Sequence, residues 1–349
     1  MPRHRLPIGL GSAAAILIVV ASGVATFSYA GGWLSPDRLT PTRMVAALAP
    51  PGGPALGRRR NHAKGICFTG VFISNGKGAE LSRAEALRPG EYSALGRFNL
   101  ATANPNAPDG SVQVRGMGLQ ISTPSGEVWR TAMISAPIFP VATPEGFYQL
   151  LRASGSKEPD AMKTFMAAHP EFMAFVEWTR SAPWTASYAE EPYNALNAFT
   201  FVDSSGVERA VRWSLAPSAQ IVPITQADLE KRGPNYLERE IAERVGRAPQ
   251  RWSLNVVVAN AGDVTSDPSK AWPAGRRTID VGTLVVQKIE AEADGPCREV
   301  SFDPTVLPAG IGVSDDPFPA ARSAAYMKSY DLRTSEASDY PRTPPGARP

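Results

Sequence analysis

Short, largely apolar runs with strand character follow one another in the first half of the chain. Clusters of proline, glycine and asparagine separate these runs and favour turns between them. The runs predict strands at Gly65–Ile73, Glu91–Leu100, Val112–Ile121 and Val128–Ile134. Strands that follow one another so closely pair most readily in an antiparallel sheet or barrel.

Segments with helical character follow farther along the chain, and the first three of them begin just after a proline. The pattern predicts helices at Glu145–Ala153, Asp160–Ala168, Glu171–Ser181, Tyr236–Arg247 and Ala320–Leu332. Between them it predicts a hairpin of Leu196–Val202 with Glu208–Leu215, and strands at Trp252–Ala259 and Thr278–Val286. The whole pattern predicts one α+β domain whose strands mostly precede its helices.

The N-terminal segment has a different character from the rest of the chain. No charged residue occurs from Leu6 to Trp33, and this apolar stretch follows Arg3 and Arg5. A helix of about 20 residues crosses the ~30 Å of a membrane's hydrocarbon core. Residues 28–30 approximate a signal-cleavage site, so residues 1–33 are either a signal anchor or a signal peptide. The length of the apolar stretch favours the anchor, and either alternative exports the body.

The remaining chain divides by composition. Residues 34–57 are rich in proline, glycine and alanine and are interpreted as a linker with one short helix over Pro41–Leu48. Residues 58–336 form the predicted domain, and residues 337–349 are expected to be a disordered tail.

Charge excludes one broad class of function. The formal net charge is +3, and it falls to +1 without Arg3 and Arg5, which leaves no basic surface for nucleic acid. Two cysteines, Cys67 and Cys297, leave their redox state open. The apolar neighbours of Cys67 favour two buried thiols, whereas an oxidising compartment would permit a disulfide.

Histidines narrow the chemistry further. Only His4, His62 and His169 occur, so a Ser-His-Asp hydrolase or a multi-histidine metal site would depend on one or both of the last two. The chain has no GxSxG, HExxH, Walker-type or strand-linked GxGxxG motif.

Two segments at opposite ends of the domain carry candidate chemistry. Residues 59–65 read Arg-Arg-Asn-His-Ala-Lys-Gly and lead into an apolar strand. In the last predicted helix, Arg322 and Tyr326 stand at positions i and i+4, so the guanidinium can reach the phenol oxygen. A nearby cation lowers the pKa of a phenol, and a phenolate is an axial ligand for ferric haem. Taken singly, each segment is more typical of a structural contact.

Several motifs in a fixed order connect these two segments. They are residues 59–65, Arg97-Phe98-Asn99, Pro137-Ile138-Phe139 with Phe147, residues 197–202, Phe302-Asp303-Pro304 with residues 308–311, and Arg322 with Tyr326. In these motifs the chain resembles the catalase superfamily, and most closely its short branch, the membrane-anchored catalase-related peroxidases. The resemblance implies an antiparallel β-barrel core of catalase type with surrounding helices, and haem b with its iron as cofactor.

The resemblance also implies roles for individual residues. His62 matches the distal histidine, which takes a proton from one peroxide oxygen and returns it to the other. Tyr326 matches the iron ligand, and Arg322 matches its pKa-lowering partner. Phe147 matches an aromatic residue that stacks on the haem. The haem propionates are expected to bind three arginines, Arg59, Arg97 and Arg333.

One position departs from the family. The distal asparagine of full catalases corresponds here to Ile134, and Ser135 takes that place if the register shifts by one residue. Without the amide, dismutation of peroxide is expected to be weak. Pro140 replaces an aromatic residue of full catalases, which widens the expected pocket for organic peroxides.

We therefore expect a haem-dependent peroxidase that reduces hydrogen peroxide or organic peroxides with a small organic reductant. The alternatives are a true catalase and a non-catalytic membrane-tethered haem-binding protein. The expected location is the periplasmic side of the inner membrane, through a single-pass anchor or after cleavage and export. No nucleic-acid partner is expected, and a homodimer stays open.

Overall fold

The computed structural model describes residues 10–30, 33, 35 and 38–343. Its contacts divide the chain into two compact units, one ending at Thr40 and one beginning at Pro41. The short helix expected in the linker is present as Pro41–Ala47 and belongs to the second unit.

In the first unit, the described residues contain one helix, α1, at Leu10–Ala30. Its window Ala13–Ala30 is long and apolar enough to cross a membrane, a property that signal sequences share. The side chains of Ile16, Leu17 and Ile18 are more than half exposed. Arg3 and Arg5, which define the expected orientation, lie outside the described residues.

The second unit contains the remaining elements. Its helices are α2 at Pro41–Ala47, α3 at Pro144–Ser154, α4 at Ala161–Ala168, α5 at Phe172–Ser181, α6 at Gln226–Lys231, α7 at Tyr236–Arg247 and α8 at Phe318–Ser335. Its strands are β1 at Gly65–Ser74, β2 at Gly90–Leu100, β3 at Arg115–Ser122, β4 at Val128–Ile134, β5 at Trp184–Thr185, β6 at Tyr193–Asn194, β7 at Phe199–Val202, β8 at Glu208–Pro217, β9 at Pro223–Ile224, β10 at Gln250–Val258, β11 at Thr278–Ala291 and β12 at Ile311–Val313.

Eight of these strands close into an antiparallel barrel, as the sequence predicts. The order is β10, β11, β1, β2, β3, β4, β6 and β8, and β8 pairs with β10 to complete the circle. Closure removes the unpaired strand edges that an open sheet would expose. Strands β7 and β12 extend the sheet from β8, and β5 pairs with β9 separately.

Aromatic side chains fill much of the core. Phe98 on β2 lies 4.7 Å from Phe68 on β1, 5.3 Å from Tyr188 and 5.7 Å from Trp252 on β10, measured between ring centroids. All four residues are fully buried. Burying a large apolar side chain stabilises the fold by about 1.5–3 kcal/mol, so this cluster contributes substantially to the stability of the barrel.

Two strand boundaries differ from the predictions because of the local backbone geometry. The hairpin strand predicted from Leu196 begins only at Phe199, because Leu196 has a φ of 62° and cannot continue a strand. Strand β11 continues past Val286 to Ala291, although Gln287, Lys288 and Glu290 are polar. A shift of register between Thr69 and Gly70 of β1 allows this longer pairing.

The two cysteines form a disulfide rather than two buried thiols. Cys67 on β1 and Cys297 lie with Cα atoms 5.4 Å apart and their sulfur atoms bonded. The favoured prediction of two free thiols was wrong. The cysteines are 230 residues apart in the sequence, and only the folded chain shows that the 3₁₀ helix Pro296–Glu299 lies beside β1.

The part of the expected tail that the structure describes contacts the domain. Ala337–Asp339 forms a 3₁₀ helix, and the ring of Tyr340 lies under the guanidinium groups of Arg58 and Arg298. Arg342 donates to the carboxylate of Glu299. Residues 344–349 lie outside the described residues.

Candidate active site

A cavity of about 710 Å³ lies between the barrel and the helices. The walls include residues of β2, β3, β4, α2, α3, α5 and α8. All seven predicted site residues line it: Arg59, His62, Arg97, Phe147, Arg322, Tyr326 and Arg333. His169 is not among the lining residues. Its ring nitrogens contact the side chains of Glu171 and Gln149 at a helix junction, so its role there is structural.

His62 stands immediately before β1 in a constrained conformation. Its φ is 53°, which is unusual for a residue other than glycine, and its backbone N–H donates to Asn61 Oδ1 at 2.9 Å. Its ring Nδ1 lies 2.6 Å from Asn99 Oδ1. Because the amide oxygen can only accept, Nδ1 carries the proton and Nε2 is the basic nitrogen.

The sheet makes room for Asn99. Asn99 on β2 pairs with Gly116 on β3, and a Cβ atom at Gly116 would lie only 2.3 Å from Asn99 Oδ1. The amide Nδ2 of Asn99 donates to the carbonyl of Arg97 at 3.4 Å, which keeps the oxygen directed at His62. Glycine at 116 is therefore a requirement for this arrangement.

The surroundings of His62 favour its neutral form. Burial lowers the pKa of the imidazole most, the charges of Arg97, Arg322 and Arg59 lower it further, and the bond with Asn99 raises it, giving a pKa of about 4. At neutral pH the ring can therefore accept a proton.

Tyr326 and Arg322 lie one turn apart on α8, as the sequence predicts. Arg322 Nη2 donates to the Tyr326 hydroxyl oxygen at 3.2 Å and to the carbonyl of Ala132 on β4 at 2.8 Å. Its Nη1 donates to Asn197 Oδ1 at 2.8 Å. These bonds fix the guanidinium beside the phenol oxygen.

Arg59, Arg97 and Arg333 gather at one end of the cavity. Arg97 Nη1 donates to the carbonyl of His62 at 2.7 Å, and Arg59 Nη2 donates to the carbonyls of Cys297 and Val300, both at 2.9 Å. Arg333 donates to the carbonyls of Arg298 and Val300. A group of guanidiniums facing a cavity suits a ligand with carboxylates.

The distal wall is largely apolar. Ile134, Pro140, Phe139 and Phe147 line the cavity, and the two phenylalanine rings lie 5.2 Å apart. Ser135 is not a lining residue, since its hydroxyl accepts a hydrogen bond from the backbone N–H of Arg115 at 3.1 Å.

Sequence reasoning missed three residues that position the predicted ones. Asn99 binds His62, Asn197 binds Arg322, and Glu292 binds Arg59 and Arg97. Asn99 could have been predicted from the sequence, because it follows Arg97 by two residues on a strand and so lies on the same face. Glu292 could not have been predicted, because only the folded chain brings it close to β1 and β2.

Comparison with known proteins agrees with this geometry. Residues 55–341 match the catalase family. The chain is 33% identical over 323 residues to the catalase-related peroxidase of Synechococcus elongatus, covering 91% of this chain and 94% of the relative. It is 33% identical over 299 residues to the catalase-related peroxidase of Mycolicibacterium paratuberculosis, covering 85% and 95%. A fungal catalase structure aligns with a TM-score of 0.71 at 17% identity, covering 84% of this chain and 64% of the catalase.

The chain therefore belongs to the catalase family. It is a haem peroxidase, an oxidoreductase of the catalase-related branch. The cavity has the donors that haem requires, with a tyrosine beside a cation, a neutral histidine, apolar walls and three arginines. Within the described residues, no group of three or more histidine, cysteine, aspartate or glutamate side chains could hold a metal ion by itself.

Proposed function

We propose that the chain is a haem b peroxidase that reduces hydrogen peroxide or organic peroxides with a small organic reductant, and that it dismutates peroxide weakly or not at all. The observation that carries this proposal is the distal wall, where Ile134 lines the cavity at the position of the family's asparagine. An alkyl side chain cannot donate a hydrogen bond to a second peroxide molecule.

The binding roles follow from the contacts. Tyr326 would supply its phenol oxygen to iron as the anionic ligand, and Arg322, which donates to that oxygen, would hold it in position. Arg59, Arg97 and Arg333 would bind the propionates, and Phe147 would pack on the ring. When bound, haem supplies the iron at which the peroxide O–O bond breaks and the oxidising equivalents are held.

His62 would move the proton. Its Nε2 would accept the proton of one peroxide oxygen, and the imidazolium would donate it to the other oxygen as that oxygen departs. The departing oxygen leaves as water from hydrogen peroxide or as an alcohol from an organic peroxide. Two reductant molecules, each giving one electron and one proton, then release the other oxygen as water.

The environment of the imidazole suits both steps, accepting the proton and donating it. Asn99 fixes the tautomer with the base at Nε2, so no ring rotation is needed before the proton arrives. The low pKa keeps the ring neutral at rest and makes the imidazolium a strong acid once it forms. The proton is therefore released promptly to the departing oxygen.

The shape of the cavity favours organic substrates. Pro140 occupies less of the wall than an aromatic ring, and Met44, Val45 and Leu48, from α2 and just beyond it, add apolar surface at another part of the cavity. Apolar surface of this kind binds alkyl or aryl groups by burial. We expect the reductant and the peroxide substituent to be apolar or aromatic for this reason.

Export fits the same proposal. Helix α1 has the length and composition of an anchor or signal segment, and the Cys67–Cys297 disulfide is stable in an oxidising compartment such as the periplasm. The proposed location is the periplasmic face of the inner membrane.

Two assays on one haem-loaded preparation test the proposal. Oxygen release from hydrogen peroxide measures dismutation, and oxidation of an aromatic reductant by hydrogen peroxide or cumene hydroperoxide measures peroxidase turnover. We expect reductant oxidation with both peroxides and little oxygen. Rapid oxygen release without reductant oxidation would instead identify a true catalase.

A further inference from the structure

A buried carboxylate stands behind the arginine end of the cavity. Glu292 follows directly after β11, its side chain is 7% exposed, and it is not among the residues that line the cavity. Its Oε1 accepts from Arg59 Nε at 3.1 Å and from Arg97 Nε at 2.8 Å. Its Oε2 accepts from Arg97 Nη2 at 2.7 Å, so the pair with Arg97 is bidentate.

This carboxylate is ionised in spite of its burial. Burial alone would raise the pKa of Glu292, but the charges and hydrogen bonds of Arg97 and Arg59 outweigh it and lower the pKa. The positive charges of the arginines repel one another. Burial lowers the pKa of Arg333 most and the charge of Arg59 lowers it further, to about 9.

The charges of the cluster can be counted from these contacts. Arg59, Arg97 and Arg333 with Glu292 carry a net charge of +2. Of the neighbouring cations, Arg60 pairs with Glu336, and Arg298 shares Glu299 with Arg342. Haem b brings two propionates, whose charges would match +2 and not the +3 of the three arginines alone.

We propose that Glu292 sets the charge of the propionate site and thereby holds the haem iron in the ferric state. An additional uncompensated positive charge near the haem would stabilise the ferrous form, which carries one electron more. By cancelling one of three cations, Glu292 keeps the reduction potential low. The inference rests on the proposed haem binding. Glu292 acts through Arg59 and Arg97 and is a positioning residue, not a catalytic one.

The test is a spectroelectrochemical titration of the full-length, haem-loaded protein in detergent. Glu292→Gln preserves the size of the side chain and an accepting oxygen but removes the charge. We expect its ferric/ferrous midpoint to move to a more positive potential. The expected size is a tenfold or larger change in the ferrous-to-ferric ratio at a fixed potential, which corresponds to about 59 mV for one electron.

A matched control separates charge from loosened packing. Glu191 is also a buried carboxylate, it pairs with Arg115 at 3.5 Å, and neither residue lines the cavity. Glu191→Gln should leave the midpoint at the wild-type value. An unchanged midpoint in Glu292→Gln, or an equal shift in Glu191→Gln, would overturn the proposal.

Arg333→Gln tests how the net charge of the propionate site affects the midpoint potential when a positive charge is removed. It removes a cation while Glu292 stays in place, so the midpoint should move to a more negative potential. This variant decides the question if Glu292→Gln does not fold, and a midpoint that stays at the wild-type value would overturn the proposal. A wild-type protein that takes up no haem would overturn the proposed function itself, whereas normal haem uptake with unaltered midpoints would overturn only the role of Glu292.

Discussion

The ring of His62 and the side chain of Asn99 meet with Nδ1 and Oδ1 only 2.6 Å apart. This contact fixes the imidazole tautomer and its orientation, because the amide oxygen is an acceptor and the sheet around Asn99 holds it in place. Removing it should impair proton transfer without removing the haem site. Asn99→Ala is expected to slow peroxide reduction about 10–100-fold, the usual effect of losing such a partner.

Rapid mixing of the haem-loaded variant with peroxide measures this step directly. Asn99→Ser is the matched control, because a hydroxyl can still accept from Nδ1 and should retain more of the rate. The haem spectrum at rest should be the same in both variants. A wild-type rate in Asn99→Ala would show that the contact does not matter for catalysis.

The low pKa of His62 predicts a specific pH profile. Neutral imidazole is the base, so the rate of peroxide cleavage should be constant above about pH 5 and fall as the pH drops through about 4. Protonation below that pH removes the acceptor. The measurement is the second-order rate of peroxide reduction between pH 3.5 and 8, and an inflection near the ordinary histidine pKa of about 6.5 would contradict the account.

The same shift affects stability with a definite sign. The unfolded chain binds a proton at His62 below about pH 6.5, whereas the folded chain does so only below about 4. The free energy of unfolding should therefore fall as the pH is lowered through this window. Comparing chemical unfolding at several pH values with that of His62→Gln isolates the contribution, and parallel curves for the two proteins would refute it.

Ile134 offers a gain-of-function test of the distal wall. Ile134→Asn introduces a donor at the position proposed for the family's asparagine, and a single hydrogen bond to a second peroxide of about 1.4 kcal/mol gives about a tenfold faster release of oxygen. Ile134→Leu has a similar size to asparagine without the amide and should not change oxygen release. Equal rates in the two variants would show that the residue at 134 does not limit dismutation.

The disulfide should stabilise the domain and the arginine end of the cavity together. Cys297 is next to Arg298, and the carbonyls of residues 297, 298 and 300 bind Arg59 and Arg333. Replacing both cysteines by alanine should lower the free energy of unfolding by about 2–5 kcal/mol and speed the loss of haem to apomyoglobin. Chemical unfolding and haem-transfer rates measure the two effects, and an unaltered unfolding midpoint would contradict the first.

The sequence predicts the regular parts of this structure well. Side chains that alternate along β4 and β10 place Trp129, Met133, Trp252 and Leu254 in the core. The closed barrel and the seven site residues that line the cavity were implied by the resemblance to the catalase family. The strands depend on local sequence character, and the resemblance depends on motifs that stand as continuous segments.

The remaining features depend on distant parts of the chain. The Cys67–Cys297 bond and the contact of Glu292 with Arg59 and Arg97 each join residues more than 190 positions apart. The left-handed backbone of Leu196, which ends a predicted strand early, has no local sequence signal because leucine rarely adopts it. Such features require the folded structure.

The central claim is that Tyr326 binds haem iron opposite His62, and an absorption spectrum tests it most directly. The wild-type protein, purified with haem, should show a Soret band with the signature of a ferric tyrosinate complex, and peroxide should change that band within seconds. Tyr326→Phe should lose this signature and most bound haem, while His62→Ala should keep it but respond slowly to peroxide. A Tyr326→Phe variant with the wild-type spectrum and full haem content would contradict the account.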